Sequence, residues 1–198
     1  MAKMNNTYSG EVPQVLSFSN IKEWNYWLVK NHLNTAGVWI RFFKKDSDIE
    51  TITHDEALDE ALCFGWIDGQ LNKYDDKSWL QKFTPRRAKS IWSKKNAEHA
   101  EQLIKHGKMK PAGLSEINKA KEDGRWQKAY DSHANLKIPD DFLKKLSKEK
   151  KAYKFFETLN RANLYSISWR LQTAKKPETR KKRMTQIIEM LSKGEKFH

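Results

Sequence analysis

The 198-residue chain has a single cysteine, Cys63, and no long run of apolar residues. With one thiol it forms no intrachain disulfide, and nothing in its cysteine usage indicates an oxidising compartment. The first 20 residues lack the apolar core of a signal peptide, and the longest apolar stretch, near "ALCFGWI", is far too short to span a bilayer. We therefore expect a cytoplasmic protein with no transmembrane segment.

Several signatures of chemistry are also missing. The sequence has no glycine-rich phosphate loop and no dinucleotide fingerprint, and its six histidines form no pair with the spacing of metal ligands. Cys63 lies at the C-terminal end of a predicted helix, where the helix dipole disfavours a thiolate, and both of its neighbours are apolar. We predict no metal, no cofactor and a buried, unreactive cysteine.

Negative charge is scarce in the second part of the chain. Residues 1–80 hold 8 Lys+Arg against 12 Asp+Glu, residues 81–198 hold 30 against 13, and the formal net charge is +13. Such an uneven distribution favours anionic partners, either a small molecule or a polyanion such as nucleic acid. A solvated, lysine-rich surface with no partner explains the same composition, so both interpretations stay open.

What the chain does contain is enough apolar surface for a core, including eight Trp, nine Phe and six Tyr. The pairs Asn20/Glu23 and Thr53/Glu56 predict two capped helix starts, the first helix ending at Gly37. The alternating "VWIRFFKK" predicts a strand, and "WIDGQLNKY" and "SWLQKF" around the turn-forming "DDK" predict a hairpin. After residue 107 only helical signals remain.

These signals predict the α+β class: an N-terminal unit with a small antiparallel sheet flanked by helices, followed by a helical C-terminal part. We place a loose N-terminal lead-in at residues 1–16, the α+β domain at residues 17–134 and the helical domain at residues 135–198.

Six motifs follow one another in a recognisable order. They are "EWNYWLVKNH", "GVWIRFFKK", "DEALDEALCFGWIDGQ", "FTPRRAKSIWSKKN", "GLSEINKAKEDGRWQKAY" and "AKKPETRKKRMTQIIEML". Together they resemble the YdeI/OmpD-associated family, also labelled bacteriocin-protection proteins, from about residue 15 to residue 194. The resemblance implies that residues 135–198 are a domain of that type. It also implies a role in stress resistance, namely protection against bacteriocins or cationic antimicrobial peptides, and association with an outer-membrane porin. It carries no catalytic residue and no cofactor.

The stretch Phe83–Asn96 contains five cations and no acid. Ser93 is the predicted cap of a helix whose first N–H groups and dipole attract an anion. Two arginines precede it, and an arginine fork holds a phosphate or carboxylate through two parallel hydrogen bonds. If the predicted C-terminal helix packs through its apolar residues, we expect its basic residues to project toward this stretch or toward a ligand. The predicted anion-binding residues are Arg86, Arg87, Ser90, Ser93, Asn96, Arg180 and Arg183. The alternatives are an internal pair of Arg86 or Arg87 with Asp68, and a solvated basic face on the C-terminal helix.

Asp68, in "GWIDG", is the one candidate for catalysis. The flanking glycines allow a tight turn or a close approach of another group. No histidine and no second acid is adjacent to it in sequence, so an anchor for a neighbouring arginine is favoured over a general base.

The sequence therefore favours a non-catalytic, cytoplasmic anion-binding protein. One alternative is an enzyme acting on a phosphorylated or carboxylated metabolite, with Asp68 as its acid/base. Another is a nucleic-acid-binding protein that uses the basic C-terminal half, with Trp92, Trp126 and Trp169 as stacking platforms.

Overall fold

The structure is a computed structural model that describes residues 15–131 and 136–196, so most of the predicted lead-in lies outside the described residues. The strands are β1 (Val15–Leu16), β2 (Val38–Phe43), β3 (Trp66–Lys73) and β4 (Ser78–Pro85). The helices are α1 (Ile21–Asn31), α2 (His54–Cys63), α3 (Lys94–Lys105), α4 (Pro111–Glu122), α5 (Asp140–Leu146), α6 (Lys150–Phe156), α7 (Arg161–Gln172) and α8 (Pro177–Ser192). The predicted α+β class is confirmed, with a sheet in the N-terminal half and a helical C-terminal part.

The sheet has the strand order β1-β2-β4-β3. The predicted hairpin is present as the antiparallel pair β3–β4, and β2 pairs antiparallel with β4, placing Val38 opposite Phe83. The edge strand β1 runs parallel to β2. A parallel pair needs a crossover, and α1 supplies it.

Local capping signals fix the starts of α1 and α2. Thr53 and Glu56 form the predicted capping box, because the Thr53 hydroxyl accepts the Glu56 N–H at 3.2 Å and the Glu56 carboxylate accepts the Thr53 N–H at 2.8 Å. Asn20 caps α1 through its side-chain oxygen.

The predicted end of α1 at Gly37 is wrong, because the helix ends at Asn31. Gly37 instead leads into β2 with a φ of +152°, in a backbone region that favours glycine. A Cβ there would lie 2.9 Å from the carbonyl oxygen of Phe83, so the glycine allows the close approach of β4.

The chain divides into two compact units. The first comprises the residues up to Ser90 together with His99–Asp123, and the second comprises Ile91–Glu98 and the residues from Gly124 onward. In the first unit, the sheet face that carries Phe42 and Phe83 packs against Trp24 of α1, and all three side chains are fully buried.

The second unit has a core of its own, formed by α5 to α8. Phe142 and Leu146 of α5 and Ile167 of α7 are fully buried there. The buried side chains of Met184, Ile187, Ile188 and Leu191 form the apolar face of α8. No helix within residues 15–131 and 136–196 is long and apolar enough to cross a membrane.

Candidate functional site

The acid-free segment Phe83–Asn96 begins within the last three residues of β4, which ends at Pro85. The Arg86 N–H donates to the carbonyl oxygen of Gly65 at 2.9 Å, and the Arg86 side chain is buried. The next residues turn: the Arg87 N–H donates to the Ser90 hydroxyl at 3.1 Å, and the Ser90 N–H donates to the Arg87 carbonyl at 2.8 Å. The Arg87 side chain is exposed, with no ion pair in the described ranges. The two arginines therefore occupy different environments, one buried and one facing solvent.

The first turn of α3 has the predicted cap, because the Ser93 hydroxyl accepts the Asn96 N–H at 3.1 Å. Ser93 also forms a parallel bridge with Tyr130, to whose carbonyl the Lys94 N–H donates at 2.9 Å. The Lys94 ammonium pairs with Asp131 at 2.6 Å. One of the five cations of the segment is thus neutralised by the protein's own carboxylate.

Arg180 of α8 makes two hydrogen bonds to the Asp141 carboxylate, one from Nη1 to Oδ2 and one of 2.8 Å from Nη2 to Oδ1. The hydrogen bonds from Arg180 hold the pKa of Asp141 below its usual value. Since Asp141 belongs to α5, this pair joins two helices of the second unit. A bidentate pair of this kind occupies much of the fork that an external anion would need.

Arg183 also contacts the protein itself. Its Nη1 donates to the carbonyl oxygen of Arg170 at 2.7 Å, near the C-terminal end of α7. Helix C-termini leave carbonyl groups without helical partners, so a cation there is favourable. Arg183 therefore braces α8 against α7.

The seven predicted anion-binding residues are divided between the two units. Arg86, Arg87 and Ser90 belong to the first unit, and Ser93, Asn96, Arg180 and Arg183 belong to the second. Anion binding by this set stays a prediction, with Arg87 the most accessible of its guanidinium groups.

Asp68 lies beside a histidine that is distant in sequence. The Oδ2 atom of Asp68 is 3.3 Å from Nε2 of His54, and their side chains are 28% and 32% exposed. The His54 ring packs near Phe42 and Phe83, at centroid distances of 6.1 and 6.2 Å. Among the described residues, the side chain that Asp68 contacts is thus a histidine and not an arginine.

Sequence reasoning missed His54 because it considered only the neighbours of Asp68 along the chain. The sequence does contain one signal of this contact, because the predicted helix is followed directly by Gly65 and then by the predicted strand. In the structure Gly65 has a φ of +73° and turns the chain back toward α2. Such a connection places β3 beside the helix that carries His54.

Cys63 is buried, and burial raises the pKa of its thiol to about 12, with smaller contributions from the carboxylates of Glu60 and Asp59. A thiol of that pKa is protonated at neutral pH and is a poor nucleophile. Within the part of the chain that the structure describes, no three histidine, cysteine, aspartate or glutamate side chains form a group that could hold a metal ion.

The second unit contains a groove that the sequence did not indicate. It has a volume of about 540 Å³ and lies between α8 and the segment that joins α5 to α6. The charged residues along it are Lys145, Lys148, Glu149, Glu189 and Lys193. A second, shallower and more open groove of about 450 Å³, lined by residues of α8 alone, adjoins it and shares Thr185 and Glu189. In the sequence these exposed α8 positions look like any solvated helix face.

The helical segment 135–194 is strongly basic, with 16 lysines and arginines against six aspartates and glutamates. None of its twelve lysines forms an ion pair within the described ranges. The positive charge of this segment is therefore mostly not neutralised by the protein.

Two family models match the chain. Residues 16–116, slightly more than half of it, match a domain of unknown function (DUF8412), and residues 135–194 match the family described as Bacteriocin-protection, YdeI or OmpD-Associated. The motifs resemble the YdeI/OmpD-associated family from about residue 15 to residue 194. The model of that family matches residues 135–194 only, and the DUF8412 model matches the N-terminal part of the region. No curated protein and no solved structure matches the chain.

Proposed function

We propose that this chain, which belongs to the DUF8412 family and carries a YdeI/OmpD-associated domain at residues 135–194, is a non-catalytic cytoplasmic protein that binds anions through that domain. The observation that carries the proposal is the set of twelve lysines without ion pairs in a segment of 16 cations and six acids. We call this segment, residues 135–194, the basic domain.

Unpaired surface lysines favour a polyanion over a single small anion. Each exposed ammonium attracts a phosphate weakly, whereas a polyanion that contacts several of them releases several counterions at once. Arg180 and Lys94 contribute less, because Asp141 and Asp131 already neutralise them.

The salt dependence of binding tests the proposal. We expect a fluorescein-labelled oligo(dT) of about 20 nucleotides to bind with an association constant that falls about 50-fold between 50 and 200 mM salt, if about four phosphates are neutralised. The measurement is fluorescence anisotropy. Absent binding, or binding that salt does not weaken, contradicts the proposal.

Two matched double variants test which part of the chain attracts the oligonucleotide. Lys181→Gln with Lys182→Gln removes two exposed charges from the basic domain, and Lys22→Gln with Lys45→Gln removes two exposed charges from the first unit. We expect the first pair to lower the magnitude of the salt slope by about 1.4 and the second pair to change it little. Equal effects of the two pairs would show that only net charge matters.

The family description suggests a physiological role in protection against bacteriocins or cationic antimicrobial peptides. A basic domain repels cationic peptides, so we propose that it protects by occupying the anionic targets of such peptides. Cells that produce the protein should then survive a cationic peptide better than cells that produce the variant Lys181→Gln/Lys182→Gln. Equal survival at equal protein levels argues against this role.

A second candidate function is catalysis on a phosphorylated or carboxylated metabolite, favoured by the His54–Asp68 contact of 3.3 Å. A carboxylate that orients an imidazole is a common arrangement for general acid–base chemistry. If a screen of such metabolites shows turnover, Asp68→Asn should abolish it and the exposed control Asp46→Asn should not. Turnover that survives Asp68→Asn excludes this role for the pair.

A further inference from the structure

The two adjoining grooves of the second unit follow one stripe of α8. Their α8 lining residues include Glu178, Lys182, Thr185, Glu189 and Lys193, which are spaced three or four positions apart. Residues at this spacing lie on one side of a helix. From Glu178 to Lys193 the helix rises by about 22 Å. We name this surface the α8 groove.

The sign of the charge alternates along the α8 groove. Glu178 is followed by Lys181 and Lys182, then by Glu189, and then by Lys193. The order along the helix axis is therefore negative, positive, negative, positive, although the basic domain as a whole has few acids.

These charges are not satisfied by one another. None of the groove's lysines or glutamates forms an ion pair within the described ranges, although both signs line the same surface. On the opposite wall Lys145 donates to the Thr185 hydroxyl at 3.0 Å, which uses one of the three donors of that ammonium. The groove thus presents unpaired groups of both signs to a ligand.

We propose that the α8 groove binds a short extended peptide whose side chains alternate in charge. An extended chain advances about 3.3 Å per residue and turns every second side chain to the same face, so about seven residues place four side chains along this length. Lysine, glutamate, lysine and glutamate at those four positions complement the four charges of the groove. Thr185 and Ser192 add hydroxyl groups for the peptide backbone, and Ile188 provides an apolar floor.

The proposal is distinct from polyanion binding by the basic domain. Glu178 and Glu189 repel a uniformly anionic ligand at the positions where the proposed peptide carries lysine. The two proposals therefore predict different ligands, and either can fail while the other holds.

Three acetylated and amidated peptides test the charge order. KSESKSE presents the complementary order, KSKSESE has the same composition in another order, and ESESESE carries one sign only. At low ionic strength, where surface charges are least screened, we expect KSESKSE to bind about tenfold more tightly than either of the others. The measurement is anisotropy of fluorescein-labelled peptides with the full chain.

A charge swap in the groove provides the control within the protein. Glu189→Lys reverses one sign in the stripe, and Glu157→Lys makes the same change at an exposed position outside both grooves. We expect Glu189→Lys to lower the affinity for KSESKSE about fivefold and to raise the affinity for KSESESE, a peptide in which the third charge is reversed. Glu157→Lys should change neither affinity by more than about twofold.

Four results overturn the proposal, and the first three concern KSESKSE itself. They are no measurable binding of KSESKSE, equal binding of KSESKSE and KSKSESE, and a Glu189→Lys variant that binds KSESKSE as the wild type does. Tighter binding of ESESESE than of KSESKSE also overturns it and assigns the groove to the general anion-binding surface. Circular dichroism shows whether each variant is folded. Both positions are exposed, Glu189 on α8 and Glu157 directly after α6, so the substitutions leave the buried core unchanged.

Discussion

At the scale of single residues, Gly113 is the described glycine with the least room for a side chain. It lies on α4, and a Cβ there would be 2.5 Å from the carbonyl oxygen of Cys63 and 2.6 Å from that of Leu62. Both oxygens belong to the C-terminal end of α2. A glycine lowers helix propensity, so its presence inside α4 follows from this close approach.

Replacing Gly113 by alanine should destabilise the protein by about 1–3 kcal/mol, because α4 has to move away from α2 to make room for the methyl group. Urea denaturation measures the change in the free energy of unfolding. The control is Ser115→Ala on the exposed side of the same helix, which should change stability by no more than about 0.5 kcal/mol. A Gly113→Ala variant as stable as the wild type would mean that the space between α4 and α2 accommodates the methyl group.

The capping box of α2 stabilises the folded protein by an amount that depends on pH. The pKa of Glu56 is lowered from 4.5, chiefly by the hydrogen bond from the Thr53 N–H and then by that from the Thr53 hydroxyl. Because the folded pKa is the lower one, the unfolded chain binds more protons in acid. The stabilisation is complete above pH 4.5 and is lost as the pH falls through the folded pKa.

We therefore expect Glu56→Ala to lower the free energy of unfolding by about 1 kcal/mol at pH 6 and by clearly less at pH 3. Thermal or urea unfolding across this range measures the difference from the wild type. Glu50→Ala, an exposed position without a partner in the described ranges, should show no such trend. A cost at Glu56 that stays constant with pH would contradict the role of the carboxylate.

At the scale of helices and strands, the features that sequence predicted are those fixed within a few residues. The capping box of α2 depends on Thr53 and Glu56, which are three positions apart. The start of α3 depends on Ser93, whose hydroxyl accepts the N–H of Asn96 three positions further on. Each signal is complete without knowledge of the rest of the fold.

Features that depend on distant partners were not predictable in the same way. The strand β1 has two residues, too few for an alternating pattern to indicate that it would pair, in parallel, with β2. The partner of Asp68 is 14 residues away, and the partner of Arg180 is 39 residues away. A basic run in the sequence does not show which of its members will meet a carboxylate after α5 and α8 pack.

Arg180 illustrates the difference between a residue that links two helices and a residue that binds a ligand. Since its guanidinium joins α8 to α5 through Asp141, Arg180→Gln should lower the free energy of unfolding by about 0.5–1 kcal/mol. Oligonucleotide affinity should fall less than it does for Lys181→Gln, whose charge has no partner in the described ranges. Unfolding curves and anisotropy titrations on the two single variants measure both effects. Lost affinity with unchanged stability would instead make Arg180 a ligand residue.

At the scale of the whole molecule, charge separates two parts of the chain. The basic domain holds 16 cations and six acids, whereas residues 1–80 hold 8 and 12. The first unit contributes the sheet, the buried aromatic cluster and the His54–Asp68 pair. The basic domain contributes a small helical core with unpaired lysines around it. This division is the reason for assigning anion binding to the C-terminal domain.

Amide chemical shifts test that assignment most directly. In ¹H–¹⁵N spectra of the full chain titrated with oligo(dT) at low salt, the proposal predicts shifts concentrated in α5 to α8, with the largest near Lys181 and Lys182, and little change in β2 to β4. Shifts that centre on the sheet or on the turn at Arg87, or spectra that do not change, would contradict it.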